Sequence, residues 1–211
     1  MSKSSISVHQ PLLIASAIML TCLFLLGAKS RSPSSVLSQD NVNAHSKVIE
    51  RENFPNPPFE IVELKATTRP LKFGEKFDDD EEWLKKINFK LKNNSDKAIV
   101  HIIMYLEFPE TASTGLMMSY PLQYGQRPKV KVVTGKPISL PKGETVSVSL
   151  TDVQYNELKR FIETRQSLNS INKVIVNVPS VYFEDGTLWS GGTMYRPDAT
   201  APNGMRAMNS Q

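Results

Sequence analysis

The stretch VYFEDGTLWSGG, Val181–Gly192, has the composition of a β-hairpin. Aromatic and β-branched residues surround an Asp-Gly pair. Asp-Gly suits a two-residue type I′ turn, which requires φ > 0 at both central positions. With Asp185-Gly186 as that loop, Glu184 faces Thr187, Phe183 faces Leu188 and Tyr182 faces Trp189. Opposed residues share a face of the sheet, so this register predicts Phe183 and Leu188 on one side. It puts Tyr182 and Trp189 together on the other. Asp185 and Gly186 are then structural turn residues, and no catalytic group is needed to explain the stretch.

Upstream, KVIVNVPSVYF (Lys173–Phe183) reads as a long strand, bent near Pro179. Before it, Thr151 and Gln154 form a T-x-x-Q capping box, and Leu158, Phe161, Ile162, Arg165 and Leu168 recur at helical spacing. That pattern predicts one inserted helix over about 151–169. Val146, Val148 and Leu150 alternate as a strand after a Pro-Lys-Gly turn, and SYPLQYG (Ser119–Gly125) suits a sheet edge because Pro121 has no amide to donate. From Ile87, Phe89 and Leu91 alternate with polar residues, NNSD turns the chain, and KAIVHIIMYLEF (Lys97–Phe108) returns as a dense apolar strand. These two strands are expected to form a long hairpin. FEIVELKAT, starting at Phe59, is another strand, with a slip of phase at Val62 that suggests a bulge.

About six to eight mostly hairpin-connected strands imply a mainly β, antiparallel sandwich over residues 58–196. Its expected form is immunoglobulin-like, on strand number alone, since the Cys…Trp…Cys signature is missing.

Two flanking regions have a different texture. Residues 12–28, LLIASAIMLTCLFLLGA, are apolar and uncharged, with Lys3 before them and Lys29 and Arg31 after. At 1.5 Å per residue such a helix reaches roughly 26 Å, just short of a hydrocarbon core. Residues 1–28 are therefore expected to be a signal peptide or membrane anchor, with small residues at Ala28–Ser30 for cleavage. The single cysteine, Cys22, lies inside this run, so no internal disulfide is available. Residues 29–57 are rich in Ser, Asn and Pro and read as a disordered tether, and residues 197–211 read as a disordered tail. The formal charge of +4 has both signs interspersed, and short Lys-rich stretches suit strand edges that avoid other chains. No nucleic-acid partner is expected from that balance.

Motifs for chemistry are sparse. DDDEE (Asp78–Glu82) lacks the alternate spacing and glycine of a calcium loop. Of the histidines, His9 and His45 precede the strands and only His101 lies among them, which does not make a zinc site. No nucleophile elbow, metalloprotease helix or phosphate loop is present, and no catalytic residue, metal or cofactor is expected. Asn93–Ser95 matches a glycosylation sequon. Tyr182 and Trp189, with Tyr195 and Arg196 nearby, are the candidate ligand-contact surface: a flat platform for a sugar or peptide if they face solvent, or packing beneath the helix if they do not.

Val181, Phe183, Asp185, Gly186, Thr187 and Trp189 spell V-x-F-x-D-G-T-x-W. In this the chain resembles uncharacterised exported bacterial proteins that end a β-rich domain with that segment. The resemblance covers about Leu158–Gly192, more loosely back to Phe59, and implies an exported β-sandwich with no catalytic residue to transfer. The expected function is a non-catalytic, exported or membrane-tethered module that binds a protein or an envelope component. The alternative is a cell-envelope hydrolase acting on glycans.

Overall fold

The computed structural model describes residues 46–127 and 139–208. The apolar segment 12–28 and most of the expected tether lie outside the described residues. Among the described residues, no helix is long and apolar enough to cross a membrane.

In chain order the strands are β1 (Ser46–Arg51), β2 (Phe59–Ala66), β3 (Arg69–Pro70), β4 (Lys76–Asp78), β5 (Ile87–Asn93) and β6 (Ile99–Phe108). They continue with β7 (Met118–Gly125), β8 (Thr145–Ser149), β9 (Lys173–Phe183), β10 (Leu188–Ser190), β11 (Thr193–Pro197) and β12 (Met205–Ala207). Helix α1 (Trp83–Lys86) precedes β5, and α2 (Asp152–Glu163) follows β8. The strands form two sheets, one of eight strands and one of four in the order β3-β2-β5-β8. Their apolar residues share one core, in which Trp83, Phe89, Ile102, Leu158, Val181 and Trp189 are all buried.

β9 is the spine of the larger sheet. One of its edges pairs antiparallel with β6, from Glu107↔Ile175 to Ile99↔Phe183. Its other edge is divided: β1 runs parallel to Lys173–Val176, and β10 runs antiparallel to Ser180–Tyr182. Val174, Val176 and Val178 point inward, then the phase slips and Val181 and Phe183 do so. The slip falls at Pro179, which has no amide for a ladder.

Several expectations are corrected. The fold is mainly β, but the larger sheet is mixed rather than purely antiparallel, because β1 is parallel to β9. β1 also falls in the stretch expected to be tether. Its inward positions are Lys47 and Ile49, and a lysine there hides the hydrophobic alternation. The Lys47 ammonium donates to Asn172 Oδ1 at 2.8 Å, and burial pushes its pKa down. β12 lies in the expected tail, paired with β11 through Tyr195↔Ala207 and Pro197↔Met205.

β5 and β6 do not form a hairpin, since β5 pairs with β2 and β8 while β6 pairs with β7 and β9. The connection crosses between the sheets around Asn93, whose buried side chain donates to Lys97 O and Leu140 O, both at 2.8 Å. Its Oδ1 accepts from the Ser95 amide and hydroxyl. The asparagine of the sequon is thus enclosed and fully bonded.

The helix begins at the expected capping box but ends at Glu163, with Leu168 in a separate 3₁₀ turn. Tyr155, Leu158 and Ile162 are its buried residues, whereas Phe161 is exposed. α2 lies beside α1, where Lys85 pairs with Asp152, and not over Tyr182 and Trp189. The slip at Val62 is a bulge between Ile61 and Glu63 in the β2–β5 pairing.

Candidate functional site

The turn after β9 decides which residues the candidate site contains. Gly186 N donates to Phe183 O at 3.0 Å, and Phe183 N donates to Thr187 O at 3.0 Å. Gly186 has φ +81°, whereas Asp185 is not among the residues with positive φ. The loop is therefore three residues long, Glu184–Gly186, with glycine in the left-handed bulge position. Asp185 holds this geometry locally: its Oδ1 accepts from the Thr187 amide at 2.9 Å and hydroxyl at 2.6 Å. Asp commonly bonds the backbone two residues ahead in this way. Lys97 adds an ion pair at 2.6 Å. Burial pushes the Asp185 carboxyl up, but the bonds from Lys97 and Thr187 together outweigh it and bring its pKa down to about 2. A two-residue turn with φ > 0 at both centres does occur, one turn later: Gly191 at +55° and Gly192 at +95° lie between paired Ser190 and Thr193.

The extra loop residue shifts the register, pairing Leu188 with Tyr182 and Trp189 with Val181. A one-residue shift exchanges the two faces of a strand. Trp189 therefore joins Val181 in the core at 1% exposure. Tyr182, Leu188 and Tyr195 form a half-buried row on the outer face. Arg196 follows Tyr195 on the strand, on the other face and opposite Arg206. The expected platform is thus divided: Tyr182 and Tyr195 share a face, and Trp189 and Arg196 do not belong to it. The Arg127 guanidinium lies 5.0 Å over the Tyr182 ring, and the His101 ring is 5.7 Å away.

Trp189 instead forms one wall of a crevice. Glu52 N bonds Val176 O at 2.9 Å and Gly191 N bonds Pro179 O at 3.0 Å, framing the place on β9 where β1 has ended and β10 has not begun. A cavity of about 60 Å³ lies there. Val176 and Val178 line it from β9, Phe59 and Ile61 from β2, and Phe54 and Pro57 from the β1–β2 connection. Arg51, Glu52 and Asn53 supply its polar residues. Phe54 and Phe59 each meet Trp189 edge-on, with centroids at 5.9 Å and ring planes at 84° and 83°. Gly192 brings the next turn onto this connection. A Cβ there would fall 2.4 Å from Pro55 Cγ, so only glycine permits the approach.

The Trp189 indole nitrogen is buried without a hydrogen-bond acceptor. By contrast, Trp83 Nε1 donates to Ile171 O at 3.2 Å. An unpaired buried donor costs about 1–3 kcal/mol. The crevice thus offers aromatic and aliphatic walls with a cation, an anion and an amide. That combination suits binding of a small, largely apolar group with a few polar contacts.

Other candidates for chemistry have structural partners. Asp79 binds Arg69 and Lys86 at 2.8 and 2.9 Å, and Lys86 holds the Asp80 carboxyl below its usual range. Among the described residues, no group of three or more His, Cys, Asp and Glu is placed to hold a metal. His101 is buried beside Gln123, with 3.3 Å between Nε2 and Oε1. Burial pushes its pKa down, Gln123 opposes the shift, and Arg127 adds to it.

Sequence reasoning missed Phe54, Phe59 and Arg51 as parts of a site. The signal was NFPNPPF itself, where two phenylalanines bracket prolines in a stretch otherwise poor in large apolar residues. In comparisons with known proteins, no family profile, no curated protein and no solved structure matches the chain.

Proposed function

We propose that this protein is a non-catalytic binding module, exported or membrane-tethered through segment 12–28, that receives its ligand in the Trp189 crevice. The observation that carries this reading is the cavity of about 60 Å³ walled by Trp189, Phe54 and Phe59, with Arg51, Glu52 and Asn53 as its polar residues. Ligand pockets are lined mostly by apolar and aromatic side chains with a few polar groups, which is the composition of this crevice. The resemblance of the V-x-F-x-D-G-T-x-W segment to exported bacterial proteins supports the location, and the two sheets around one core support an immunoglobulin-like sandwich. The ligand is a protein or an envelope component. Glycoside hydrolysis usually uses two carboxyl groups flanking the bond, and among the described residues Glu52 is the only carboxylate lining the crevice.

A photo-crosslinking residue tests this when placed at Asn53, beside the crevice, or at Lys159 on the exposed side of α2. In intact cells the protein is expected in membrane or exported fractions, with a discrete adduct from position 53 that Trp189→Phe diminishes. Full-length protein free in the cytoplasm would refute the location. Adducts no more discrete at position 53 than at position 159 would refute the binding site.

A further inference from the structure

We infer that Leu116, Met117 and Phe161 form an apolar tip that rests in the surface of a zwitterionic lipid bilayer, the membrane to which segment 12–28 tethers the chain. The inference rests on the membrane-tethered reading above and adds which end of the folded body meets lipid.

Among the described residues, Leu116 is the most exposed large apolar side chain, at 80%, and Met117 follows it at 45%. Their backbone is fixed on both sides. Leu116 O accepts from Arg165 Nη1 at 2.7 Å, and the Met118 amide donates to the buried Thr111 hydroxyl oxygen at 2.7 Å. The two side chains are thus exposed on a pinned turn. α2 brings a third. Tyr120 OH bonds Glu157 Oε2 at 3.2 Å, and Arg165, just past the helix, reaches Leu116 O. Phe161 lies about one helical turn from each, so it falls beside the Leu116–Tyr120 segment. It is exposed as well, at 40%.

The place where the chain enters the fold selects the occupant. Val48 of β1 pairs with Lys173 at the start of β9, so Ser46 lies at that end of the sheet. β6 finishes at the same end, with Glu107 opposite Ile175, and β7 begins there, with Met118 opposite Phe108. Leu116 and Met117 therefore belong to the end at which the chain enters. A random coil as long as residues 29–45 spans about 20–25 Å r.m.s.. β6 alone, with 10 residues, extends about 33 Å. That span is shorter than the body it carries, so the entry end is the one kept near the bilayer.

Charge and area then separate lipid from other partners. On and just after α2, Asp152, Glu157 and Glu163 are offset by Lys159, Arg160 and Arg165. At the same end Asp79 is bound by Arg69 and Lys86, and Glu81 accepts from Asn169. A zwitterionic surface suits this balance, and an anionic one gains nothing from it. The three side chains of the tip fall well short of the ~800 Å² that each partner of a stable protein–protein interface covers. A lipid contact needs no such area, because the tether makes it intramolecular. Leucine and phenylalanine are also the side chains by which interfacial segments enter the headgroup–acyl boundary.

The test uses the full-length chain in phosphatidylcholine vesicles that contain spin-labelled lipids as quenchers. A bimane fluorophore is attached at Leu116→Cys or, at the opposite end between β5 and β6, at Asn94→Cys, each combined with Cys22→Ser. The native Cys22, labelled alone, reports on segment 12–28. The expected result is lipid quenching at positions 22 and 116 and none at 94. Met117→Asp combined with Phe161→Asp, both at exposed positions, is expected to reduce quenching at 116 severalfold with an unchanged thermal midpoint. Replacing part of the lipid with phosphatidylglycerol is expected to leave it unchanged. Quenching at 22 but not at 116 would overturn the inference and leave the tether standing. No quenching at 22 would remove the tether and the inference with it. Equal quenching at 116 and 94 would overturn the placement of the tip. Quenching at 116 that grows with phosphatidylglycerol and disappears in salt would replace the apolar contact with a charged one and overturn it too. So would shielding of 116 that depends on protein concentration and not on lipid, which would assign the patch to a second copy of the chain.

Discussion

Gly186 and Asp185 show how one side chain sets the geometry of its neighbours. Gly186 occupies φ +81°, and a Cβ there would lie 3.3 Å from Pro197 Cγ. Gly186→Val is expected to lower stability by about 1–3 kcal/mol, read from the denaturant midpoint, because a β-branched residue is strained in the left-handed region. Asp185 contributes through its ionised form. Its folded pKa, about 2, lies below the ordinary 3.8, so its contribution is fully present above that ordinary value and is lost as pH falls toward 2. The side chain is 43% exposed, and solvent screening limits the Lys97 pair to about 0.2–1 kcal/mol. Asp185→Asn keeps an oxygen for Thr187 and loses the ion pair. It is expected to cost that amount at neutral pH and to flatten the acid limb of the stability profile below pH 4. The positive φ of Gly186 was legible in the sequence. The conformation of Asp185 was not, because Asn-like tolerance of φ > 0 and bonding to the Thr187 amide suit the same residue type.

Asn93 and His101 belong to the way strands are joined and stacked. Asn93 spans the crossing from β5 to β6 and satisfies two carbonyls from separate parts of the chain. Asn93→Ala leaves both without that donor, and a loss of about 2–4 kcal/mol is expected in equilibrium unfolding. His101 lies on the outer side of β6, faced by Gln123, Arg127 and Tyr182. Its lowered pKa means that the neutral ring is the one folding favours. That stability is fully present above the ordinary value of 6.5 and declines as pH falls below it. The thermal midpoint is expected to fall on acidification through this range, and His101→Phe is expected to remove that part of the slope. The strands themselves were legible from alternation, as in Ile87, Phe89 and Leu91. Their partners were not: NNSD has turn composition whether the chain folds back in one sheet or crosses to the other.

The extent of the folded body gives a prediction about truncation. β1 supplies Ile49 to the core and a parallel partner to β9, and the compact unit spans Asn41–Gln211. A chain beginning at Pro55 lacks β1 and exposes the Lys173–Val176 edge of β9. It is expected to unfold at a lower temperature, with less β signal by circular dichroism, than a chain beginning at Asn41. Equal melting of the two would show that β1 is dispensable.

The sequence by itself determined what depends on a few neighbouring residues: the alternation of β5 and β9, the capping box at Thr151, the bulge at Val62 and the need for glycine at position 186. Only the tertiary structure decided which strands meet and which side of each faces the core. Lys47 faces inward because acceptors at Ile171 and Asn172 await it across 124 and 125 residues of chain, a match no local pattern reveals. Trp189 lies in the crevice instead of on an outer platform because the loop before it holds three residues rather than two. Side chains alternate with a period of two, so that single residue exchanges the inner and outer faces of everything that follows.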